Sequence, residues 1–295
     1  MSRPLDAFLT ASAPAIWGST YIVTTQLLPA DYPLTVAALR ALPAGIILLL
    51  ATRQLPPAKW IGKLFILGTL NFAFFWAALF IAAYRLPGGV AATLGAVQPL
   101  IVLVLARVSL GATLTTHGVI AAIAGVGGVA LLVLDPQAKL DVIGVGAALF
   151  GAVSMAFGVI LSRKWKPDVS ALTFTAWQLT AGGLLLLPAA LLLEPQLPMP
   201  TARNIAGFLW LGLPGAALSY FFWFRGIDRL GPAAVTNFGF LSPLTAVILG
   251  WAILGEALAT RQIIGAAVIL ACVWIGSRPT SPFRATLRRV QDKRT

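Results

Sequence analysis

Acidic residues, histidine and cysteine are scarce in this sequence. Its 295 residues include nine Asp and Glu, one His and one Cys, against 21 Lys and Arg. The single cysteine, Cys272, excludes an internal disulfide, and we interpret it as a small core residue. The sequence also lacks an HExxH zinc pattern, a Ser/His pair and two membrane-embedded aspartates, which are the usual sites of intramembrane proteases. We therefore predict a protein that is not an enzyme and that holds neither a metal nor a cofactor.

Long apolar runs dominate the chain instead. The sequence is 59% hydrophobic and 10% charged, and no soluble domain or Ser-rich linker interrupts the runs. Each run is long enough to cross a hydrocarbon core of roughly 30 Å. We predict an all-α integral membrane protein with ten transmembrane helices, at about residues 7–28, 33–52, 61–82, 88–108, 115–134, 142–162, 170–192, 204–224, 232–252 and 261–277. The first run is interpreted as a retained helix, because the stretch before the cleavage-like Ala11-Ser12-Ala13 is too short for the apolar region of a signal peptide.

No acidic residue lies in the middle of a predicted span. All nine, from Asp6 to Asp292, fall in loops, tails or span ends. Proton pumps and cation antiporters usually carry an embedded carboxylate. The only histidine, His117, lies near the start of the fifth span, a poor position for a proton relay. These absences argue against export of organic cations and against carboxylate-based proton coupling, and they favour facilitated, gradient-driven transport.

The basic residues predict an orientation. With both termini in the cytoplasm, most Lys and Arg residues fall in cytoplasmic segments, and the outer loops hold only Arg85, Lys139, Arg203 and Arg261. This bias is the positive-inside pattern. The net charge of +12 lies in short loops and in the basic tail, which indicates contact with anionic lipid headgroups and not with nucleic acid. The sequence is compatible with a monomer and with an oligomer.

The chain contains an internal repeat. Residues 64–131 align without a gap onto residues 208–275 at a constant offset of 144, so that Pro99-Leu100 falls on Pro243-Leu244. We divide the chain into a first repeat (1–137), a second repeat (138–277) and a basic cytoplasmic tail (278–295). Five spans per repeat is an odd number, so the second repeat must cross the membrane in the opposite direction. Inverted repeats of this kind are typical of secondary transporters that work by alternating access.

Several short motifs resemble those of one family. The Trp17-Gly18-Ser19-Thr20-Tyr21 stretch in the first span is similar to the opening signature of EamA-type members of the drug/metabolite transporter superfamily. Further similar elements are Leu39-Arg40-Ala41, Gln98-Pro99, Ser242-Pro243 and Leu254-Gly255-Glu256. One departure is Ala112, which stands in the first repeat where the second has Glu256.

The resemblance implies ten helices around a central cavity lined mainly by spans 1, 3, 4, 6, 8 and 9. It also implies export of small metabolites, often amino acids, with exporters of the YddG kind as the nearest comparison. Within the opening signature it places Trp17, Ser19 and Tyr21 among the substrate-binding candidates.

Arg40 is the only basic residue that lies away from the ends of a predicted span. It lies about seven residues into the second span, roughly 10 Å from the outer face at 1.5 Å per residue. A charge at this depth must face a cavity, a carbonyl cluster or a partner. Arg40 therefore either attracts a substrate carboxylate, or it snorkels or ties helix ends together. Its repeat counterpart, at an offset of 138, is Gln178.

Aromatic and amide residues provide further candidates. Asn71, Phe75 and Trp76 lie along roughly one face of span 3, either lining a cavity or packing in the core, and Tyr220 belongs to the matching region of span 8. Trp17 is a candidate because its indole N–H needs a partner in an apolar setting. Trp223 lies near the end of its predicted span and is interpreted as an interfacial belt residue.

Two prolines lie at matching depths in spans 4 and 9. Pro99 and Pro243 are predicted to interrupt their helices and to free the carbonyls of Gly95 and Gly239, which would make these positions a hinge or gate, or else a simple kink. The adjacent polar side chains, which could bind a zwitterion, are Gln98, Asn237 and Ser242.

The sequence therefore predicts a secondary transporter. Its cargo is a small neutral or zwitterionic metabolite, with amino acids that carry aromatic or other hydrophobic side chains as the main expectation. The predicted location is the bacterial inner membrane. The alternatives are an exporter of other metabolites or drugs and, in different classes, an intramembrane enzyme or a membrane scaffold.

Overall fold

The computed structural model describes residues 3–29, 32–86, 94–133, 141–255 and 258–276. Within these residues all regular structure is helical. The helices form ten spans: span 1 (Arg3–Gly18 and Thr20–Leu27), span 2 (Pro33–Thr52), span 3 (Ala58–Gly68, Thr69–Ala73 and Phe74–Arg85), span 4 (Gln98–Leu110), span 5 (Thr116–Val133), span 6 (Val142–Lys164), span 7 (Ala171–Leu193), span 8 (Ala202–Gly212, Leu213–Leu218 and Ser219–Leu230), span 9 (Pro232–Phe238 and Leu241–Leu254) and span 10 (Thr260–Gly276). Seven of the helical stretches are long and apolar enough to cross a membrane, and spans 4 and 10 are shorter apolar helices.

The two ends of the bundle differ in charge. The end at which span 7 begins and spans 6 and 8 finish carries Asp6, Arg163, Lys166 and Arg225, and we call it the basic end. The opposite end carries Arg85 and the N-cap of span 6, Asp141. The predicted orientation places the basic end in the cytoplasm.

Capping side chains and glycines mark the starts and ends of several helices. The side chains of Asp141, Ser170 and Thr201 accept backbone N–H groups at the starts of spans 6, 7 and 8. Spans 4 and 9 end at Gly111 and Gly255, whose φ angles are 65° and 71°. Because glycine adopts this left-handed conformation without steric penalty, both repeats end the same helix with the same residue.

An acid from the second repeat caps a helix of the first. The two carboxylate oxygens of Glu194, just after span 7, accept the backbone N–H groups of Leu34 and Thr35 at 2.5 and 2.7 Å. These N–H groups belong to the first turn of span 2 and have no partner within their own helix. The negative charge also lies at the positive end of the helix dipole.

Spans 3 and 8 each contain a π-helical segment. The first covers Thr69–Ala73 and the second covers Leu213–Leu218, so both begin at the same repeat position, at the offset of 144. The π-helical backbone departs from the i→i−4 hydrogen-bond pattern and often marks a functional site. The two segments have little sequence in common. Their shared conformation is therefore explained by the matching environments that the two repeats provide.

Spans 2 and 7 pack closely through glycine. A Cβ on Gly45 would lie 2.5 Å from the backbone nitrogen of Thr180, and one on Gly183 would lie 2.6 Å from the Cβ of Leu42. At the offset of 138, Gly45 corresponds to Gly183 and Leu42 to Thr180, so the two contacts are equivalent. From the first contact to the second, the residue number falls in span 2 and rises in span 7. The two spans are therefore antiparallel, as an inverted repeat requires, and glycine allows their backbones to approach.

Candidate functional site

Aromatic rings from spans 1, 3 and 8 meet in the interior of the bundle. Trp76 and Tyr220 occupy equivalent positions of the two repeats, and their ring centroids are 6.0 Å apart. The Phe72 ring lies 5.2 Å from that of Trp76 and 4.8 Å from that of Tyr220. Trp17 lies 4.7 Å from Tyr220. We call the set the central aromatic cluster; its members are Trp17, Phe72, Trp76, Tyr220, Trp223 and Phe224.

The structure assigns the aromatic candidates to different surroundings. Trp17, Trp76 and Tyr220 belong to the cluster, whereas Phe75 lies against Gly151 of span 6. Phe72 was not among the predicted residues. Its spacing of four from Trp76 is the signal that would have found it, but its repeat counterpart is Ala216, so the symmetry does not mark it.

The interpretation of Trp223 as an interfacial belt residue is wrong. Its side chain is 2% exposed, and its ring lies 5.0 Å from that of Trp17. The predicted span ended at residue 224, whereas the helix continues to Leu230. Trp223 is therefore nearly two turns from the helix end and faces the core.

Arg40 is buried beside the central aromatic cluster. Its side chain is 5% exposed, so the snorkelling alternative is wrong. The guanidinium lies 4.9 Å from the centroid of the Trp76 ring, a cation–π geometry. Its Nη2 donates to the carbonyl of Gly215 at 2.7 Å, whereas its Nε has no hydrogen-bond partner. Among the described residues no ion pair includes Arg40.

A chain of hydrogen bonds joins Arg40 to span 1. The Gly215 carbonyl also accepts the Ser219 hydroxyl at 2.8 Å. The Ser219 oxygen in turn accepts the indole N–H of Trp17 at 2.8 Å, which supplies the partner that this N–H was predicted to need. Gly215 lies in the π-helical segment of span 8. Its carbonyl is therefore available to a side chain from another span.

The residues equivalent to Arg40 and Gly215 in the other repeat, Gln178 and Asn71, form a neutral polar cluster with Ser162. Asn71 Nδ2 donates to Gln178 Oε1 at 2.9 Å and to the Ser162 hydroxyl at 3.2 Å. Gln178 is the repeat counterpart of Arg40, and Asn71 is that of Gly215. The Arg40–Gly215 contact and the Gln178–Asn71 contact are therefore equivalent under the repeat. The Arg40–Gly215 contact is charged and the Gln178–Asn71 contact is neutral, so the two repeats differ in charge at this position.

Spans 4 and 9 are broken where the prolines predict a break. A turn at Ala96–Val97 precedes Gln98, and a turn at Gly239–Phe240 precedes Leu241. Pro99 and Pro243 lie in the first turn of the helices that follow, where a missing N–H does not disrupt a hydrogen bond.

The predicted free carbonyl at Gly239 has a partner. It accepts the N–H of Ser242 at 3.1 Å, three residues on, so the turn compensates for the bond that Pro243 removes. A Cβ on Gly95, in the equivalent position of span 4, would meet no heavy atom within 4 Å.

Two amide side chains beside these breaks are incompletely bonded. Gln98 Nε2 and Asn237 Oδ1 are buried without a hydrogen-bond partner, although Asn237 Nδ2 donates to the Ala233 carbonyl at 3.2 Å. Buried polar groups are normally satisfied. Gln98 and Asn237 are therefore available to a bound molecule.

The remaining predicted residues are placed as follows. The Ser19 hydroxyl donates to the Ile16 carbonyl at 2.6 Å and accepts the Trp210 indole N–H at 2.8 Å, so it joins span 1 to span 8. The carbonyl of Ser242 lies against Gly18. The side chain of Tyr21 and the whole of Glu256 lie outside the described residues.

An ion pair involving span 3 or span 8 lies at each end of the bundle. At the basic end, Asp6 is 6% exposed in its side chain and lies 2.6 Å from Arg225 and 3.8 Å from Arg229. At the opposite end, Arg85 and Asp141 lie 3.7 Å apart and are nearly half exposed. Arg85 and Arg229 are repeat counterparts. The two pairs therefore occupy related places on spans 3 and 8, and the one at the basic end is tighter and more buried.

Comparison with known proteins agrees with this architecture. The model of the EamA-like transporter family matches twice, at residues 5–134 and 142–278. Protein PecM of Dickeya dadantii (strain 3937) is 46% identical over 265 residues, covering 89% of each chain. The uncharacterized inner membrane transporter YedA of Escherichia coli (strain K12) is 28% identical over 263 residues, covering 88% of this chain and 86% of that protein. A solved crystal structure with 19% identity has a TM-score of 0.80 over 93% of this chain and 98% of the other, which shows the shared fold.

The family matches cover both halves of the bundle and nearly all of the described residues. The enzyme and scaffold alternatives are therefore set aside. The chain belongs to the EamA-like transporter family, and it is a multi-pass membrane transporter and not an enzyme.

Proposed function

We propose that this protein exports small zwitterionic or neutral metabolites, and specifically amino acids with aromatic or other hydrophobic side chains. The observation that carries the proposal is Arg40. A buried guanidinium is expensive in a membrane unless a partner offsets the charge. Among the described residues its guanidinium donates one hydrogen bond, to the Gly215 carbonyl, and lies over the face of Trp76, while its Nε is unsatisfied. A substrate carboxylate would supply the missing counter-charge.

Other groups of the candidate site suit the rest of such a substrate. Trp76 presents its aromatic face to the guanidinium, and the Phe72 ring lies 5.2 Å from that of Trp76, which favours an apolar or aromatic side chain. The free Oδ1 of Asn237 is an acceptor of the kind that an ammonium group needs. Carboxylate, ammonium and apolar groups together define an amino acid.

We further propose that the two repeats alternate in opening the site to each side of the bacterial inner membrane. The support is the inverted pair of π-helical segments, the two helix breaks and the ion pair at each end. The name of YedA, an inner membrane transporter, supports the location.

The orientation is proposed from the charge bias, with both termini in the cytoplasm. We expect reporter fusions at the N- and C-termini to be active only for a cytoplasmic reporter. Fusions in the loop after Glu194 should be active only for a periplasmic one. An external C-terminus would contradict the ten-span arrangement.

A matched set of indoles tests the substrate class. Purified protein in liposomes should move tryptophan down its gradient faster than empty liposomes do, whereas tryptamine, which lacks the carboxylate, should stay at the leak rate. The reason is that Arg40 attracts the carboxylate and repels a cation, and no described residue places an acid beside it. Protein-dependent flux of tryptamine, or no flux across a panel of amino acids, would overturn the proposal.

A further inference from the structure

A cleft of about 470 Å³ opens at the basic end between spans 6, 7 and 8. Four cations and a single acid contribute to its walls: Arg163, Lys166, Arg225, Arg229 and Asp228. Charge of one sign in a cleft with apolar walls focuses the electrostatic field and raises the local concentration of the opposite charge. The composition of the walls therefore favours binding of an anionic ligand.

The acids at this end do not neutralise the cations. Asp228 lies 2.6 Å from Arg163 and 2.9 Å from Lys166, and Asp6, behind the cleft, pairs with Arg225 and Arg229. Together with Asp168, which is exposed in the loop after span 6, three acids lie among these four cations, so positive charge remains. The side chains of Lys166 and Arg229 are 51% and 47% exposed. The excess charge is therefore presented to solvent at the mouth of the cleft.

The inner wall of the cleft leads to the candidate site. Ser162 lines the cleft and also donates to Gln178 Oε1 at 3.2 Å in the neutral polar cluster. Phe224 lines it as well, and its ring lies 5.9 Å from that of Tyr220. A molecule in the cleft therefore lies against one member of the central aromatic cluster, Phe224.

The charge of the cleft does not come from the duplication. The repeat counterparts of Arg225 and Asp228 in span 3 are Ile81 and Tyr84, and only Arg229 has a basic counterpart, Arg85. The positive-inside pattern accounts for cations at this end of the bundle. It does not account for their convergence on the cleft that leads to the site.

We propose that this cleft is an entry vestibule that captures the carboxylate of the cargo electrostatically before the cargo reaches Arg40. The inference rests on the proposed export of carboxylate-bearing metabolites, and it names the part of the protein that selects them at the cytoplasmic face. The vestibule acts on capture, so it governs kcat/KM and its dependence on salt, and it leaves kcat unchanged.

The test removes two charges without leaving either acid unpaired. The double variant Lys166→Gln/Arg229→Gln retains the Asp228–Arg163 and Asp6–Arg225 pairs. The matched control, Lys59→Gln/Lys164→Gln, makes the same change of charge at two exposed cations of the same end that do not line the cleft. Substrate is added at the basic end in oriented proteoliposomes at low salt, with indole-3-propionate as the anion and tryptophan as the zwitterion.

We expect the cleft variant to lower kcat/KM for indole-3-propionate by about tenfold and for tryptophan by less, with kcat unchanged. The loss should largely disappear in 0.5 M salt, where the Debye length is roughly 4 Å. The control variant should behave as the unmodified protein. Equal losses in the two double variants, or a loss that salt does not relieve, would overturn the vestibule.

A second measurement separates this proposal from the proposed function. Equilibrium dialysis in detergent measures binding of indole-3-propionate without transport. If no indole is transported, but the cleft variant binds indole-3-propionate about tenfold more weakly than the unmodified protein and the control variant do, the transport proposal is overturned and the anion site is retained. If the unmodified protein and both variants bind indole-3-propionate equally, the vestibule proposal is overturned. If the effect on flux follows the phosphatidylglycerol content of the liposomes and not the charge of the indole, the cleft holds a lipid headgroup and the vestibule is again overturned.

Discussion

Replacement of Arg40 by glutamine is expected to reduce kcat/KM for tryptophan by about 100-fold. The loss of charge-assisted hydrogen bonds to a carboxylate, at about 1.5–3 kcal/mol each, accounts for a change of this size. Tryptophanamide has no carboxylate, so its flux should stay at the leak rate with either protein. The measurement is the initial rate of flux for both compounds in proteoliposomes that contain equal amounts of folded protein.

Glutamine is the matched substitution because the fold already accommodates it. Gln178 occupies the equivalent position and bonds across to span 3, in the way that Arg40 bonds across to span 8. The variant removes a buried charge with an unsatisfied Nε, so its thermal stability should be equal to that of the unmodified protein or higher. A purely structural Arg40 gives the opposite pattern, in which the variant is less stable and the unmodified protein transports tryptophanamide as well as tryptophan.

Replacement of Gly183 by leucine is expected to have the largest effect on stability. Even a Cβ at this position would lie 2.6 Å from the Cβ of Leu42 and 2.7 Å from the backbone of the same residue. The clash involves backbone, so spans 2 and 7 would have to separate along their antiparallel contact. We expect a loss of roughly 3 kcal/mol or more in the free energy of unfolding, or no folded protein.

Gly127 provides the control for this substitution. It lies in span 5, where an added Cβ meets no heavy atom within 4 Å, so Gly127→Leu tests the change of residue type without the clash. The comparison is made by thermal unfolding in detergent, together with the alanine variants at both positions, because alanine favours a helix over glycine by about 1 kcal/mol. Equal stability of the two leucine variants would show that close approach of spans 2 and 7 does not hold the halves together.

Much of the fold could be predicted because it depends on patterns along the chain. The apolar runs marked the spans, and the prolines marked the breaks in spans 4 and 9. Each of these features depends on neighbouring residues in the sequence. The end of span 8 was misplaced because Arg225, Asp228 and Arg229 make its last turns polar, although Arg225 and Asp228 have ion-pair partners on other spans.

The candidate site was predictable only in part. Arg40, Trp76 and Tyr220 were identified because a charge or a polar aromatic group is unusual inside an apolar run. Phe72 was not identified, because a phenylalanine in such a run is ordinary. The π-helical segments had no signal in the sequence, since their hydrogen bonding depends on the helices packed around them.

The sequence by itself determined that this protein is an all-helical membrane bundle of two inverted repeats with basic residues concentrated at one end. Hydrophobic length, the odd number of spans in each repeat and the distribution of charge are sufficient for that conclusion. Only the tertiary structure decided which polar groups meet. Arg40 contacts a carbonyl 175 residues away, whereas its counterpart Gln178 contacts Asn71 at a separation of 107. The physical reason is that the crossing of spans distant in sequence, and not the local pattern, sets which buried donors find acceptors and which are left without a partner.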